Sequence, residues 1–497
     1  MRPAVNETAT NNVLDVLIVG AGLSGIDAAY RLQTTLPHKR YAIVEARDAI
    51  GGTWDLFRYP GVRSDSDMYT LGFPFRPWQG EHVIAGGGEI RDYIRDTAAH
   101  YGIDQHIRFG HRVKRASWST PDAMWTVELE VAGQPVVLRC AFLIMCSGYY
   151  DYARAFVPNF PGVDRYRGRV VQPQFWPEDL DHAGKRVVVI GSGATAVTLV
   201  PALAHAAAHV TMLQRSPSYI VALPAKDRLA AAARRWLPTQ TADAFVRWKN
   251  VLMGIATFSL AKHAPRTTQK LIARGRQQQM GPGHDDRHFT PSYKPWEQRV
   301  CVVPDGDLFE TLRSGRAEVV TDQIETFTET GIKLASGQEL AADIVVSATG
   351  LVVRLLGGAT LVVDGETIDP GQKLLYKGMM LDGVPNLGLT FGYSNASWTL
   401  KCDLIARYLC RLLGHMERTE RAVCVPRLKD PTVTPLPLLD FSSGYVARAV
   451  GTMPQQGSKG PWRLHQNYVL DFASLALSDL EDGTMELFAR GARRTAA

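Results

Sequence analysis

The chain has 497 residues and a mass of 54.7 kDa, enough for about three structural units. Hydrophobic residues make up 45% and charged residues 21%, which excludes a disordered, collagen-like or coiled-coil chain. The 55 Lys and Arg exceed the 49 Asp and Glu by only 6, too little to argue for a nucleic-acid partner.

In chain order, Met1 to Asn12 is polar and lacks the apolar core of a signal peptide. A buried apolar strand is expected over Leu14 to Val19, a small-residue helix over about Leu23 to Leu36, and a second strand over Tyr41 to Glu45. The turn between them is Gly20-Ala21-Gly22-Leu23-Ser24-Gly25. Its glycines serve a tight turn, close approach of a pyrophosphate, and helix–strand packing. The helix N-terminus then offers amides and partial positive charge to the phosphates. Glu45 ends the next strand 20 residues after Gly25, where a carboxylate can accept hydrogen bonds from both adenosine ribose hydroxyls.

An unusual loop follows, Gly51-Gly52-Thr53-Trp54-Asp55-Leu56-Phe57-Arg58-Tyr59-Pro60-Gly61-Val62-Arg63-Ser64-Asp65. Its glycines allow close approach to a flavin, Trp54 and Tyr59 offer flat walls, and Arg63 and Asp65 carry opposite charges. A β-rich stretch runs from Trp125 to Cys146, and a Pro/Gly-containing linker from Val157 to Gly168.

A second opening then repeats the first: a strand over Arg186 to Ile190, a helix over about Ala194 to Ala207, and a strand over His209 to Leu213. Its turn is Gly191-Ser192-Gly193-Ala194-Thr195-Ala196, and its strand ends on Gln214-Arg215-Ser216 instead of an acid. A guanidinium there can bind a 2′-phosphate that a carboxylate would repel. Two turns of opposite electrostatic character point to two dinucleotides, FAD at the first and NADPH at the second. The fold class is α/β, with two dinucleotide-binding domains.

Residues 221–298 read as helical and carry 13 basic and 5 acidic residues. This +8 excess is compatible with a solvated face, an interfacial surface for anionic lipid, or a lid near a phosphate-bearing cofactor. The longest uncharged run there, Asn250 to Ala261, has 12 residues, against the ~20 a spanning helix needs. Two segments, one before and one after this stretch, Met145-Cys146-Ser147-Gly148 and Ser347-Ala348-Thr349-Gly350, read as strand ends where a glycine permits passage beside a dinucleotide. The six cysteines include no Cys-x-x-Cys pair, which argues against a disulfide scaffold, a zinc ribbon or a redox dithiol and for a reducing cytoplasm.

With these motifs the chain resembles the class B flavoprotein monooxygenases of the Baeyer–Villiger type, most of all the ethionamide-activating branch. The likeness extends from Leu14 to about Asp471. Gly52 to Asp65 matches that family's Gly, x, Trp, four residues, aromatic, Pro, Gly, three residues, Asp. Asp343 to Gly350 matches its acid, four residues, Ala-Thr-Gly. The resemblance implies FAD contacts from Gly20, Gly22, Ser24, Gly25, Glu45, Thr53, Trp54, Asp65 and Val113. It implies NADP(H) contacts from Arg63, Ser64, Gly191, Ser192, Gly193, Ala194, Thr195, Ala196, Arg215 and Ser216. Arg299, before an apolar strand that follows the insert, would be the active-site arginine, oriented by Asp65.

The implied layout is an FAD domain from 1–157 and 346–497, an NADPH domain from 158–222 and 299–345, and a helical insert over 223–298. The implied reaction consumes NADPH and O₂ and turns a ketone into an ester or lactone through a C4a-peroxyflavin, with thioether oxidation alongside. Alternatives are an N- or S-oxygenating relative without that chemistry, and an uncoupled NADPH oxidase or redox sensor. The expected partner is a small ketone or thioether, with at most weak peripheral contact with a membrane; oligomeric state is left open. Tyr393 to Leu400 is a candidate pocket lining. One element departs: in the family's fingerprint Phe, x, Gly, three residues, His, three residues, Trp, the histidine place holds Gln172 and the Phe place Tyr166, while Gly168 and Trp176 are kept.

Overall fold

A computed structural model describes residues 13–439 and 444–491. The polar segment Met1 to Asn12 and the ends of the expected FAD domain lie outside them. Two sheets organise the molecule. The first is seeded by Val13–Val19, apolar but for Asp15, which pairs in parallel with Tyr41–Val44 on one side and Gln134–Met145 on the other. Strands buried on both faces in this way need helices above and below. The helix Leu23–Thr35 covers one face and packs against a late helix, Trp398–Arg418. The antiparallel strands His111–Ser119 and Met124–Val131 extend the sheet, which Thr360–Val363 and Leu387–Leu389 join from far along the chain.

The second sheet has five parallel strands in the order Ala317–Thr321, His209–Gln214, Arg186–Ile190, Ile344–Ser347, Arg169–Val171. Ile344–Ser347 runs in it to its last residue, so the expected boundary between 345 and 346 falls inside a strand. The helix after the second turn is Ala194–Leu203, shorter than expected.

The insert is less helical than the sequence suggested. Of the residues read as helical, 221–223 belong to a strand, Ile220–Leu223, paired in parallel with Cys301–Pro304. The excursion between these two strands contains three helices, Arg228–Trp236, Thr239–His263 and Pro265–Met280. From Gly281 to Gln298 the chain is irregular apart from one short turn, Asp286–Phe289. Gly281, Pro282, Gly283, Pro291 and Pro295 account for this, since they break a helix wherever they fall.

Candidate active site

The two glycine turns face each other across a cavity of about 1010 Å³, at the upper end of the sizes usual for ligand sites. Of the residues expected at the cofactors, all line it except Gly25 and Ala196, which lie buried beneath the turns. The turns have the same construction. Gly20 (φ +108°) donates its N–H to Val44 O at 2.8 Å, and a Cβ there would stand 2.5 Å from Cys146 O. Gly191 (φ +136°) donates to Leu213 O at 2.8 Å, and its Cβ would stand 2.4 Å from Ala348 O. The strand ends singled out at Cys146 and Ala348 are thus the walls against which the glycines turn. Both helices start at a glycine, Gly22 and Gly193, with no side chain capping the N-terminal amides. Uncapped amides at the head of a helix suit a pyrophosphate.

The strand ends differ. Glu45 is buried, and its carboxylate accepts from Ala21 N at 2.8 Å and from Arg47 N at 2.9 Å. Burial raises its pKa, while these two amides and Arg47 pull the other way. In the second turn the place of Glu45 is taken by Gln214, whose amide turns away to His288 O at 2.7 Å and Thr321 Oγ1 at 2.8 Å. Arg215, the next residue, is exposed at the rim of the cavity. Beside it Ser192 Oγ donates to Ser216 O at 3.0 Å, which fixes the turn to that rim.

The Gly51–Asp65 loop spans both halves. Trp54 packs on the core of the first sheet, whereas Tyr59 belongs to the apolar cluster of the second with Val197 and Val200. The two rings therefore wall different sides. Burial pushes the Tyr59 phenol up to about 12. Gly61 (φ +74°) lies so close to the helix Ala194–Leu203 that a Cβ would meet Ala202 Cβ at 2.8 Å. Arg63 and Asp65 do not pair with each other. Arg63 binds Asp307, at the start of a helix in the other half, and its buried Nε has no hydrogen-bond partner among the described residues. Asp65 accepts from Arg299 Nη1 at 2.7 Å. An arginine just ahead of the strand Cys301–Pro304 is thereby held over the cavity by a carboxylate from the loop.

Other expected residues sit in the first half. Thr53 Oγ1 lies 3.1 Å from Tyr152 OH, Ser24 Oγ accepts from Trp398 Nε1 at 2.9 Å, Ser64 is buried and donates to Ser66 O at 2.8 Å, and Val113 lines the wall near Glu45. Of Tyr393 to Leu400, the cavity is lined by Tyr393, Ala396 and Trp398. Trp398 stacks on Tyr149 with ring centres 5.3 Å apart. Gln172 is half-buried at the cavity edge.

Sequence reasoning missed several residues. Asp55 is buried and bound by three guanidiniums, from Arg47 (2.6 Å), Arg58 (3.0 Å) and Arg95 (3.0 Å), which anchors the loop beside Trp54. Asp307 lies 244 positions from Arg63, and no local pattern announces that pair. Gln174 is buried and donates from Nε2 to Asp151 O at 2.7 Å, joining the start of the second half to the first.

The chain matches a family described as flavin-binding monooxygenase-like over residues 72–356, and an NAD(P)-binding Rossmann-like domain over residues 18–79. It is 53% identical over 471 residues to the FAD-containing monooxygenase EthA of Mycobacterium tuberculosis, covering 94% of this chain and 96% of that one. It is 49% identical over 494 residues to the putative FAD-containing monooxygenase MymA of the same species, covering 98% and 100%. Its fold is similar to that of an oxidized steroid monooxygenase solved with NADP bound, with a TM-score of 0.74 at 22% identity, covering 96% of this chain and 100% of that one.

Proposed function

We propose that this chain, which belongs to the flavin-binding monooxygenase family, converts ketones to esters or lactones and thioethers to sulfoxides, using FAD, NADPH and O₂. The residues present fit both cofactors: two uncapped helix N-termini, a buried carboxylate at one strand end and an exposed guanidinium at the other. FAD would be held by the Gly20–Gly25 turn, Glu45, Thr53, Trp54, Asp65 and Val113. NADPH would be held by the Gly191–Ala196 turn, Arg63, Ser64, Arg215 and Ser216. In this reading the first sheet is the FAD domain and the second the NADPH domain, with the return to the FAD domain after Ser347. The bound flavin, reduced by NADPH, supplies the oxygen-activating chemistry.

The ion pair Arg299–Asp65 carries this reading. It places a fixed positive charge in the cavity that both turns share. When a ketone carbonyl is attacked, negative charge develops on its oxygen, and Arg299 stands ready to meet it. Charge organised in advance in this way contributes ~3 kcal/mol to a transition state. Asp65 holds the guanidinium in register and fixes where that charge sits. Tyr149, Trp398 and Tyr393 make the adjoining wall aromatic, which suits an apolar substrate and keeps water out.

The test is incubation of the FAD-loaded enzyme with NADPH and a mixed panel of ketones and thioethers, with products identified by mass spectrometry. Esters or lactones carrying one added oxygen are expected, with sulfoxides beside them. Sulfoxides without any ester would favour the N- or S-oxygenating alternative. NADPH consumption that yields only H₂O₂ would favour the oxidase.

A further inference from the structure

The insert exposes apolar surface that its own packing does not use. Among the described residues, ten of the twenty exposed large apolar side chains fall between Leu223 and Leu271, with Trp236 at 76% exposure and Leu229 at 63%. On the helix Thr239–His263, Phe245, Trp248, Leu252 and Leu260 recur at helical spacing and share one side. Val246, Asn250, Val251 and Ala261 are buried on the other sides. The uncharged run Asn250 to Ala261 therefore has one apolar face packed and one bare. The bare face continues beyond the insert. Trp248 meets Tyr468 edge-on, with ring centres 5.7 Å apart, and Tyr468 opens a short helix whose Val469 and Leu470 are exposed, with Leu477 (74%) beyond it.

The charges complete the picture. Asp227, Asp243, Asp285 and Asp286 are paired with Lys249, Arg234, Arg287 and Arg276, and Arg247 donates to Tyr69 O and Gly72 O. Arg228, Arg266, Lys270 and Arg274 are exposed, without a carboxylate partner among the described residues. Arg235 lies over the Trp236 ring at 5.3 Å. Bare Trp, Phe, Leu and Met beside unmatched cations is the make-up of an element that lies in a lipid interface. A second copy of the chain fits less well, because a two-fold contact would set one +8 segment against another. No helix among the described residues is long and apolar enough to cross a membrane, so the contact lies in the plane of the surface.

We propose that this insert docks the protein on anionic lipid membranes, with the helix Thr239–His263 in the interface. The same helix sends Val251 inward against Tyr393, which lines the cavity, so the docking element is also the support of a cavity wall.

The test is co-sedimentation of the FAD-loaded, full-length protein with vesicles of phosphatidylcholine plus phosphatidylglycerol, and of phosphatidylcholine alone, at low and high salt. Binding to the anionic vesicles at low salt is expected, weaker by about tenfold or more on the neutral ones, since each Lys or Arg near such a surface adds ~1 kcal/mol. The double variant Trp236→Glu, Leu252→Glu should lose binding by a similar factor. It should keep its FAD content, its melting temperature and its NADPH oxidation with a water-soluble ketone. No binding to anionic vesicles at low salt overturns the proposal, as does a double variant that binds as well as the original. A lipid-free dimer that the same variant splits, without vesicle binding by either form, assigns the face to a second copy and also overturns it.

Discussion

The two glycine turns share a backbone plan, and two of their side-chain differences matter most. In both, a glycine of positive φ passes under the carbonyl of a neighbouring strand, and a helix begins with uncapped amides. These are the features a pyrophosphate needs. The first difference lies under the turn. A Cβ on Gly25 would stand 1.8 Å from Gly20 O, whereas the corresponding Ala196 is a buried alanine in the second helix, which holds it without conflict. The second difference lies at the strand end, where Gln214, followed by Arg215, stands in the place that Glu45 takes in the first turn. The comparison teaches that the backbone-to-backbone contact beneath the helix is a property of the first turn only, and under the proposed function the strand end would set which ribose each turn accepts.

The first way to break this comparison gives the largest effect. Gly25→Ala should abolish the FAD-loaded protein, because the contact is backbone against backbone and nothing flexible can yield. The converse change, Ala196→Gly, should cost only ~1 kcal/mol, the price of a glycine inside a helix. FAD per chain and melting temperature of both variants measure the asymmetry. Equal behaviour would mean the two turns pack alike.

Next in size is the pair that joins the halves. Arg299→Ala should keep FAD binding and reduction by NADPH while ester formation falls by roughly 10²–10³-fold, the range for loss of one preorganised charge contact. Single-turnover reduction and product yield separate the two steps. Full ketone oxidation by this variant would remove Arg299 from the chemistry.

Arg215 sharpens the strand-end contrast. Arg215→Ala should lower the preference for NADPH over NADH by about tenfold or more, since a charge-assisted contact is worth ~1.5–3 kcal/mol. The ratio of kcat/KM for the two nicotinamides reads it directly. An unchanged ratio would shift the selectivity to the Ser192–Ser216 rim.

The openings were legible in the sequence because glycine spacing, strand length and the acid at Glu45 are local patterns, and local patterns survive without the fold. The Asp65–Arg299 contact was legible through resemblance alone, since 234 positions separate the pair. The partner of Arg63 was not legible: Arg63 and Asp65 share a loop, and proximity in sequence hid the fact that each reaches into the other half. The insert was over-read as helix because its Ala, Leu, Arg and Gln content masked the Gly and Pro residues after Met280. Its charge excess was visible, but not that the surface left bare beside those charges is apolar.

Gln172 gives the smallest expected effect, at the join between the two halves. It stands where the fingerprint has a histidine, half-buried at the cavity edge and one residue before a short turn, Pro173–Phe175. The hydrogen bond that crosses to the first half comes instead from Gln174, through Nε2 to Asp151 O at 2.7 Å. A contact made by a neutral amide to a backbone carbonyl does not depend on pH, so the domains can meet without a titrating group at position 172. Gln172→His introduces one, with an ordinary pKa of about 6.5. Above that pH the imidazole is neutral and offers one donor and one acceptor, as glutamine does. Below it a positive charge enters the cavity edge. Peroxide released per NADPH consumed, with a good substrate, should therefore agree within about twofold between the two forms at alkaline pH and diverge only below roughly pH 6.5. FAD binding should not change. If the unmodified enzyme loses nearly all its NADPH as peroxide while the histidine form is coupled, Gln172 is a lesion at the join, and the oxidase reading replaces the monooxygenase for this chain.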